Sequence, residues 1–203
     1  MENRRQERLR QARLHRSWIE STAMLKLVGL ALVVGALGGL GAAFYQWLLS
    51  FLTNQVFSPL GEWGRNYGSV LWLPALGGLL VGPLIVYVSR DSRGSGIPQV
   101  IQAMMYRGGR IRGRVAPAKT LASCITIASG GSAGTEGPIV QIGAALGSRL
   151  AQALRLNEEQ VRLLLACGTA AGISAIFDAP LAGVFFAMEV VLAEFATRSF
   201  GAV

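Results

Sequence analysis

Histidine is nearly missing from this chain: His15 is the only one among 203 residues. Ser132 in "GGSAG" resembles an intramembrane serine nucleophile, but such a serine needs a base, normally histidine, beside it in the membrane. His15 sits in a polar, arginine-rich arm, so a Ser–His dyad is excluded. Cysteine is scarce too. Cys124 and Cys167 stand alone in apolar surroundings, without CxxC or metal-ligand spacing, and read as small core residues. The glycine-rich stretches lack the G-K-[ST] ending of a phosphate-binding loop. The chain reads as non-enzymatic, with neither metal nor cofactor. Charge is low as well, at 15% of residues, against about 25% in ordinary soluble domains.

Apolar residues and glycine take the place of that charge. Hydrophobic residues reach 52%, and the mean hydropathy is +0.45. Glycine numbers 26, about twice the usual share of roughly 7%. With no G-X-Y period and no polar low complexity, this points to closely packed membrane helices. The net charge of +8 is concentrated. Arg4, Arg5, Arg8, Arg10, Arg13 and Arg16 crowd the start, and Arg107, Arg110, Arg112 and Arg114 share one linker. Both clusters flank apolar spans, as cytoplasmic ends do. Stacking aromatics are missing from the basic arm, which argues against nucleic acid as a partner.

Residues 1–21 predict a basic amphipathic helix on the cytoplasmic membrane surface, and residues 22–203 a transmembrane domain. The arm is not a secretory signal, because its basic region is too long and no cleavage site follows. Met24 to Phe57 is a long apolar span in which Gly35 and Gly39 predict a close-packing face. A weakly charged loop with Trp63, Arg65 and Tyr67 follows and is expected outside. Ser69 to Val88 then returns, with Gly78 and Gly82 at the same packing spacing. Beyond it the apolar pieces shorten: Gly96–Met105, Val115–Ser129, Pro138–Leu154, Val161–Phe177 and Pro180–Glu194. Spanning a bilayer takes about 20 residues, so several of these are broken helices. Such breaks are tolerated in lipid only where they are buried in protein or line a cavity. A membrane-anchored scaffold, the competing reading, predicts long unbroken helices instead.

Three breaks share one device: "GSGIPQV" (Gly94 to Val100), "GTEGPIVQIG" (Gly134 to Gly143) and "FDAPLAGVFF" (Phe177 to Phe186). In each, small residues precede Pro98, Pro138 or Pro180, which fits a helix's first turn because its missing N–H would be unpaired there. Helix starts expose N–H groups and a positive dipole end. Two of them meeting in a membrane make an anion site that needs no full positive charge.

In this order and spacing the three motifs resemble the chloride channel and chloride/proton exchanger (CLC) family, whose signatures are GSGIP, G-x-EGP and F-N-A-P-L-A-G. The resemblance covers roughly Leu25 to Glu194. It implies an all-α, polytopic membrane protein of short, broken and tilted helices, the first of two inverted repeats of the CLC fold. The second repeat, which supplies a pore tyrosine, is not found, so the chain reads as a truncated half. Implied too are chloride-selective transport, a multi-pass cell-membrane location with a cytoplasmic N-terminus, and a homodimer when full length. Chloride, protons and the lipid bilayer are the implied partners.

Carried over residue by residue, the resemblance makes Ser95 the hydroxyl that binds the central anion. Serine here goes with chloride and proline with nitrate in the family. Glu136 matches the gating glutamate, whose carboxylate imitates an anion near the N–H groups of Thr135, Glu136 and Gly137. The wider anion-binding set is Ser95, Gly96, Ile97, Gly134, Thr135, Glu136 and Gly137. A charge at mid-membrane costs about 2.5–3.5 kcal/mol on insertion scales, which helix-end N–H groups partly offset. The chain departs from the family pattern at three places. Thr135 replaces an arginine common in the family, and Asp178 replaces the asparagine before Ala179-Pro180, as a charged helix cap. In "FAMEVV", Glu189 matches the first acid of an exchanger pair and Val190 stands at the inner proton acceptor. That favours a channel or loosely coupled exchanger over a strict H+/Cl− antiporter.

Overall fold

The computed structural model describes the backbone of residues 2–59 and 69–192, with side chains from 25–59 and 72–192. The expected loop residues Trp63, Arg65 and Tyr67 lie outside it. Among the described residues the fold is all-α. In chain order the helices are α1 (Glu2–Phe51), α2 (Ser69–Tyr87), α3 (Ile97–Tyr106), α4 (Val115–Ala128), α5 (Glu136–Ala153), α6 (Glu158–Phe177) and α7 (Pro180–Phe186). A π-helical turn, Leu52–Phe57, prolongs α1, and another, Ala187–Val191, prolongs α7. The helical backbone of α1 runs through residue 21 without a break, so the basic arm and the first apolar span share one element.

Length separates these helices by role. Leu25–Phe57 and Glu158–Phe177 are long and apolar enough to cross a bilayer. In contrast, α3 has 10 residues, α4 14 and α7 7. The central helix is α5, which α1, α3, α4 and α6 all contact. It is buried on nearly every side, from Gly137 through Ala145 and again at Gly147, Ser148 and Ala151. A helix apolar all round belongs in the middle of a bundle. Val140, Ala144 and Ala145 pack there with Val100 and Met104 of α3 and with Leu165 and Ile173 of α6.

Glycine lets α5 and α6 approach until their backbones touch. A Cβ on Gly143 would run into the carbonyl of Gly168, and one on Gly147 into that of Leu164. The glycine faces expected on the first two spans are corrected by the structure. Gly35, Gly39, Gly78 and Gly82 have nothing within 4 Å of where a Cβ would stand. Packing uses their neighbours, Gly38 against Ala171 and Gly77 against Ser129. The buried stripe of α1 is Val34, Gly38, Ala42 and Tyr45, at helical spacing, and Gly35 and Gly39 fall beside it. Outside that stripe α1 presents Leu25, Leu32, Leu40 and Trp47, all well exposed.

The helix ends carry their own chemistry. Asn157 caps α6, its side chain accepting the Gln160 N–H at 2.9 Å, with Glu158 and Glu159 in the first turn where the dipole favours acids. Asp178 closes the same helix in a left-handed conformation, φ 51°, which Asn and Asp tolerate better than most residues. It is therefore a C-terminal cap by backbone geometry. Cys124 is fully buried and Cys167 half-buried, both as free thiols.

Candidate functional site

Two of the three proline-opened helix starts meet. Gly96 and Gly137 sit back to back: a Cβ on Gly137 would strike the carbonyl of Ser95, and one on Gly96 would lie 2.5 Å from the carbonyl of Gly137. Gly96 also has φ +114°, a conformation that excludes side chains. The N-termini of α3 and α5 are thus in direct backbone contact. Pro98 is the second residue of α3. Pro138 is the third of α5, which begins at Glu136 rather than at the proline. First-turn N–H groups have no partner within a helix, so the shift costs nothing. The third start, Pro180, opens α7, which folds back against Ala170 and Ser174 of α6 and does not line this cavity.

Above the contact lies a cavity of about 430 Å³. Ser95 and Ile97 line it from one helix start, and Gly134, Glu136 and Gly137 from the other. Gly96 stands behind the wall against Gly137 and Gln141, and Thr135 is not in the lining. Thr135 precedes α5, and its carbonyl accepts the Ile139 N–H at 3.1 Å. Ser132 lines the same cavity. Glu189, exposed in the turn after α7, is not among the lining residues, and neither is the half-buried Val190 beside it.

The carboxylate of Glu136 leans back over Gly134, close enough that a Cβ there would meet Oε2. Among the described residues it accepts no hydrogen bond, either from the N–H groups of Thr135, Glu136 and Gly137 or from any other donor. This is an exposed, unpaired position facing the cavity.

One residue of the site escaped the sequence reading. Lys119, on α4, is 4% exposed and reaches into the cavity wall. Its Nζ donates to the carbonyls of Gly94 at 2.5 Å and Ser92 at 3.3 Å, the segment that leads to Ser95. A buried ammonium needs such partners. One full positive charge therefore stands in the cavity wall beside the two helix starts, with its ammonium bonded to loop carbonyls. The signal was available: Lys119 is one of only two lysines beside 17 arginines, and it interrupts the small apolar run "VAPAKTLASC". A second tie holds the same loop. Gln99 accepts the Gly96 N–H at 3.0 Å and donates to the Arg93 carbonyl at 2.8 Å. Ser95 is thus presented on a loop fastened at both ends.

Chemically, the cavity joins several hydroxyls, two helix starts, one buried ammonium and one unpaired carboxylate. Among the described residues no group of three or more His, Cys, Asp or Glu could hold a metal. Residues 77–203 match the family model described as voltage gated chloride channel. A ClcB-like protein of Ralstonia nicotianae, described as a chloride channel protein, is 34% identical over 88% of this chain and 43% of its own length. Among solved structures, a slow cyanobacterial Cl−/H+ antiporter is 25% identical with a TM-score of 0.70, covering 86% of this chain and 42% of that one. A CLC-type fluoride/proton antiporter is 31% identical with a TM-score of 0.68, covering 82% and 40%. The chain spans less than half the length of each of these relatives.

Proposed function

Because the chain belongs to the voltage-gated chloride channel (CLC) family, we propose that it supplies one half of a chloride path across the cell membrane, gated by Glu136. The observation that carries this reading is that Ser95 and Glu136 line one cavity at the junction of two helix N-termini. A dehydrating anion there meets the Ser95 hydroxyl, first-turn N–H groups and the positive ends of two helix dipoles. Lys119 adds a charge in the wall, its ammonium committed to the carbonyls of Ser92 and Gly94. That commitment matters, since an anion held directly by a fixed ammonium leaves slowly. Glu136 carries the opposite charge into the same space and competes with the anion. Protonation, or displacement by chloride, frees the path.

Coupling to protons is weak in this proposal. Two solved relatives are named as antiporters, but Val190 stands at the family's inner acceptor position and Glu189 is not among the residues that line the cavity. A channel or loosely coupled exchanger follows. The N-terminus and the linker from Tyr106 to Arg114 lie on the cytoplasmic side, and the complete protein pairs as a homodimer.

The test is chloride flux from liposomes holding the complete protein that carries this chain. In wild type, flux rises on acidification. Glu136→Gln and Glu136→Ala flatten that profile, since neither residue competes as an anion, and any coupled proton movement is abolished. A steep acid response retained in Glu136→Gln would assign gating to another group.

A further inference from the structure

A second, smaller hollow of about 160 Å³ opens where the end of α2 meets the linker before α4. Three arginines line it from two separate stretches, Arg90 on one side and Arg112 and Arg114 on the other. Asp91, the acid in its lining, is engaged with Arg107 at 3.5 Å. None of the three arginines has an ion-pair partner among the described residues. Arginine excess at one end of a membrane protein follows from topology alone. Convergence of three on one hollow does not.

The hollow is also held in shape. Both walls are tied to the central helix α5. Gln141 Nε2 donates to the Asp91 carbonyl at 2.7 Å. Ser148 Oγ accepts the Ile111 N–H at 2.9 Å and donates to the Gly109 carbonyl at 2.6 Å, while Gln152 Nε2 donates to the Ile111 carbonyl at 2.9 Å. The backbone bearing Arg112 and Arg114 is therefore fixed before any ligand arrives, which lowers the ordering cost of binding. Arg114 moreover stands at the N-cap of α4, whose first turn holds no acid. A cation at the positive end of a helix dipole has the wrong sign unless an anion joins it. Val86, Val88 and Tyr87, the last 84% exposed, put apolar surface at the rim of this charge.

We propose that this hollow binds a phosphate-bearing anion, with the headgroup of an anionic phospholipid as its foremost source. Forked guanidinium groups match phosphate oxygens, and basic pockets between membrane helices suit anionic headgroups. The acyl chains then run along the exposed end of α2.

Native mass spectrometry of the detergent-solubilised complete protein, titrated with phosphatidylglycerol and with phosphatidylcholine, tests this. Phosphatidylglycerol binds first and more tightly to wild type. Arg112→Gln/Arg114→Gln weakens the first binding step about thirtyfold, from roughly 1 kcal/mol per arginine. Arg110→Gln/Arg155→Gln removes the same charge outside the hollow and leaves that step unchanged. Arg112→Lys/Arg114→Lys keeps the charge without the fork and recovers part of the affinity, which separates loss of charge from loss of fold. Inorganic pyrophosphate distinguishes the sources. Lipid retained in its presence assigns the site to a headgroup, and displacement assigns it to a soluble phosphate. Equal weakening by both glutamine pairs, or by neither, overturns the proposal.

Discussion

Gly38 and Gly39 are neighbours in the same helix, yet alanine should act oppositely at the two. Both substitutions remove a helix-interior glycine, a gain of about 0.8–1.0 kcal/mol. That gain cancels when the two variants are compared, and the packing difference is left alone. At Gly39 a Cβ meets nothing within 4 Å. At Gly38 it would lie 2.7 Å from the Ala171 Cβ and 3.4 Å from the Gly168 carbonyl. Carbon atoms rest about 3.5–4.0 Å apart, and the Ala171 methyl has no rotamer to retreat into. The helices α1 and α6 must therefore separate. Overpacking of this kind costs about 1–3 kcal/mol, so Gly38→Ala should fall below Gly39→Ala by that amount. For a chain of this size the gap corresponds to roughly 2–12 °C in Tm. Thermal melting of the purified variants in one detergent, at matched concentration, measures it. A Gly39→Ala protein that melts at or below Gly38→Ala would refute the assignment of the packed stripe to Val34, Gly38, Ala42 and Tyr45.

Three further outcomes are expected in the complete protein. Ser95→Pro should raise nitrate flux relative to chloride in liposomes, because the hydroxyl donor is lost at the α3 start; an unchanged ratio would remove Ser95 from the selective site. Lys119→Met keeps the volume but leaves the Ser92 and Gly94 carbonyls without this donor, at about 1–3 kcal/mol for the buried Ser92 carbonyl and less for the exposed Gly94. Discrimination between chloride and nitrate should then fall together with Tm, and a variant melting like wild type would show that the lysine does not fasten the loop. Arg112→Cys should resist an impermeant thiol reagent added outside intact cells, and labelling from outside would reverse the proposed topology.

Local pattern carried much of this architecture. Helix existence and type followed from apolar runs punctuated by Gly and Pro, and the expected ends of the last five helical segments fall within a few residues of those observed, once the turn after α7 is counted with it. Motif order was enough to suggest the family and to select Ser95 and Glu136, because the device in each case is a helix start, written in adjacent residues. Three things were decided only by tertiary structure. Which glycines pack depends on the phase of each helix towards its partner, and glycine spacing alone does not contain that phase: Gly35–Gly39 and Gly38 differ only in direction. Lys119 became a site residue because its carbonyl partners, 25 and 27 residues earlier, are folded onto it. The arginine hollow likewise exists because α5 draws the end of α2 and the linker before α4 to the same place, joining charges that the chain holds more than 20 residues apart.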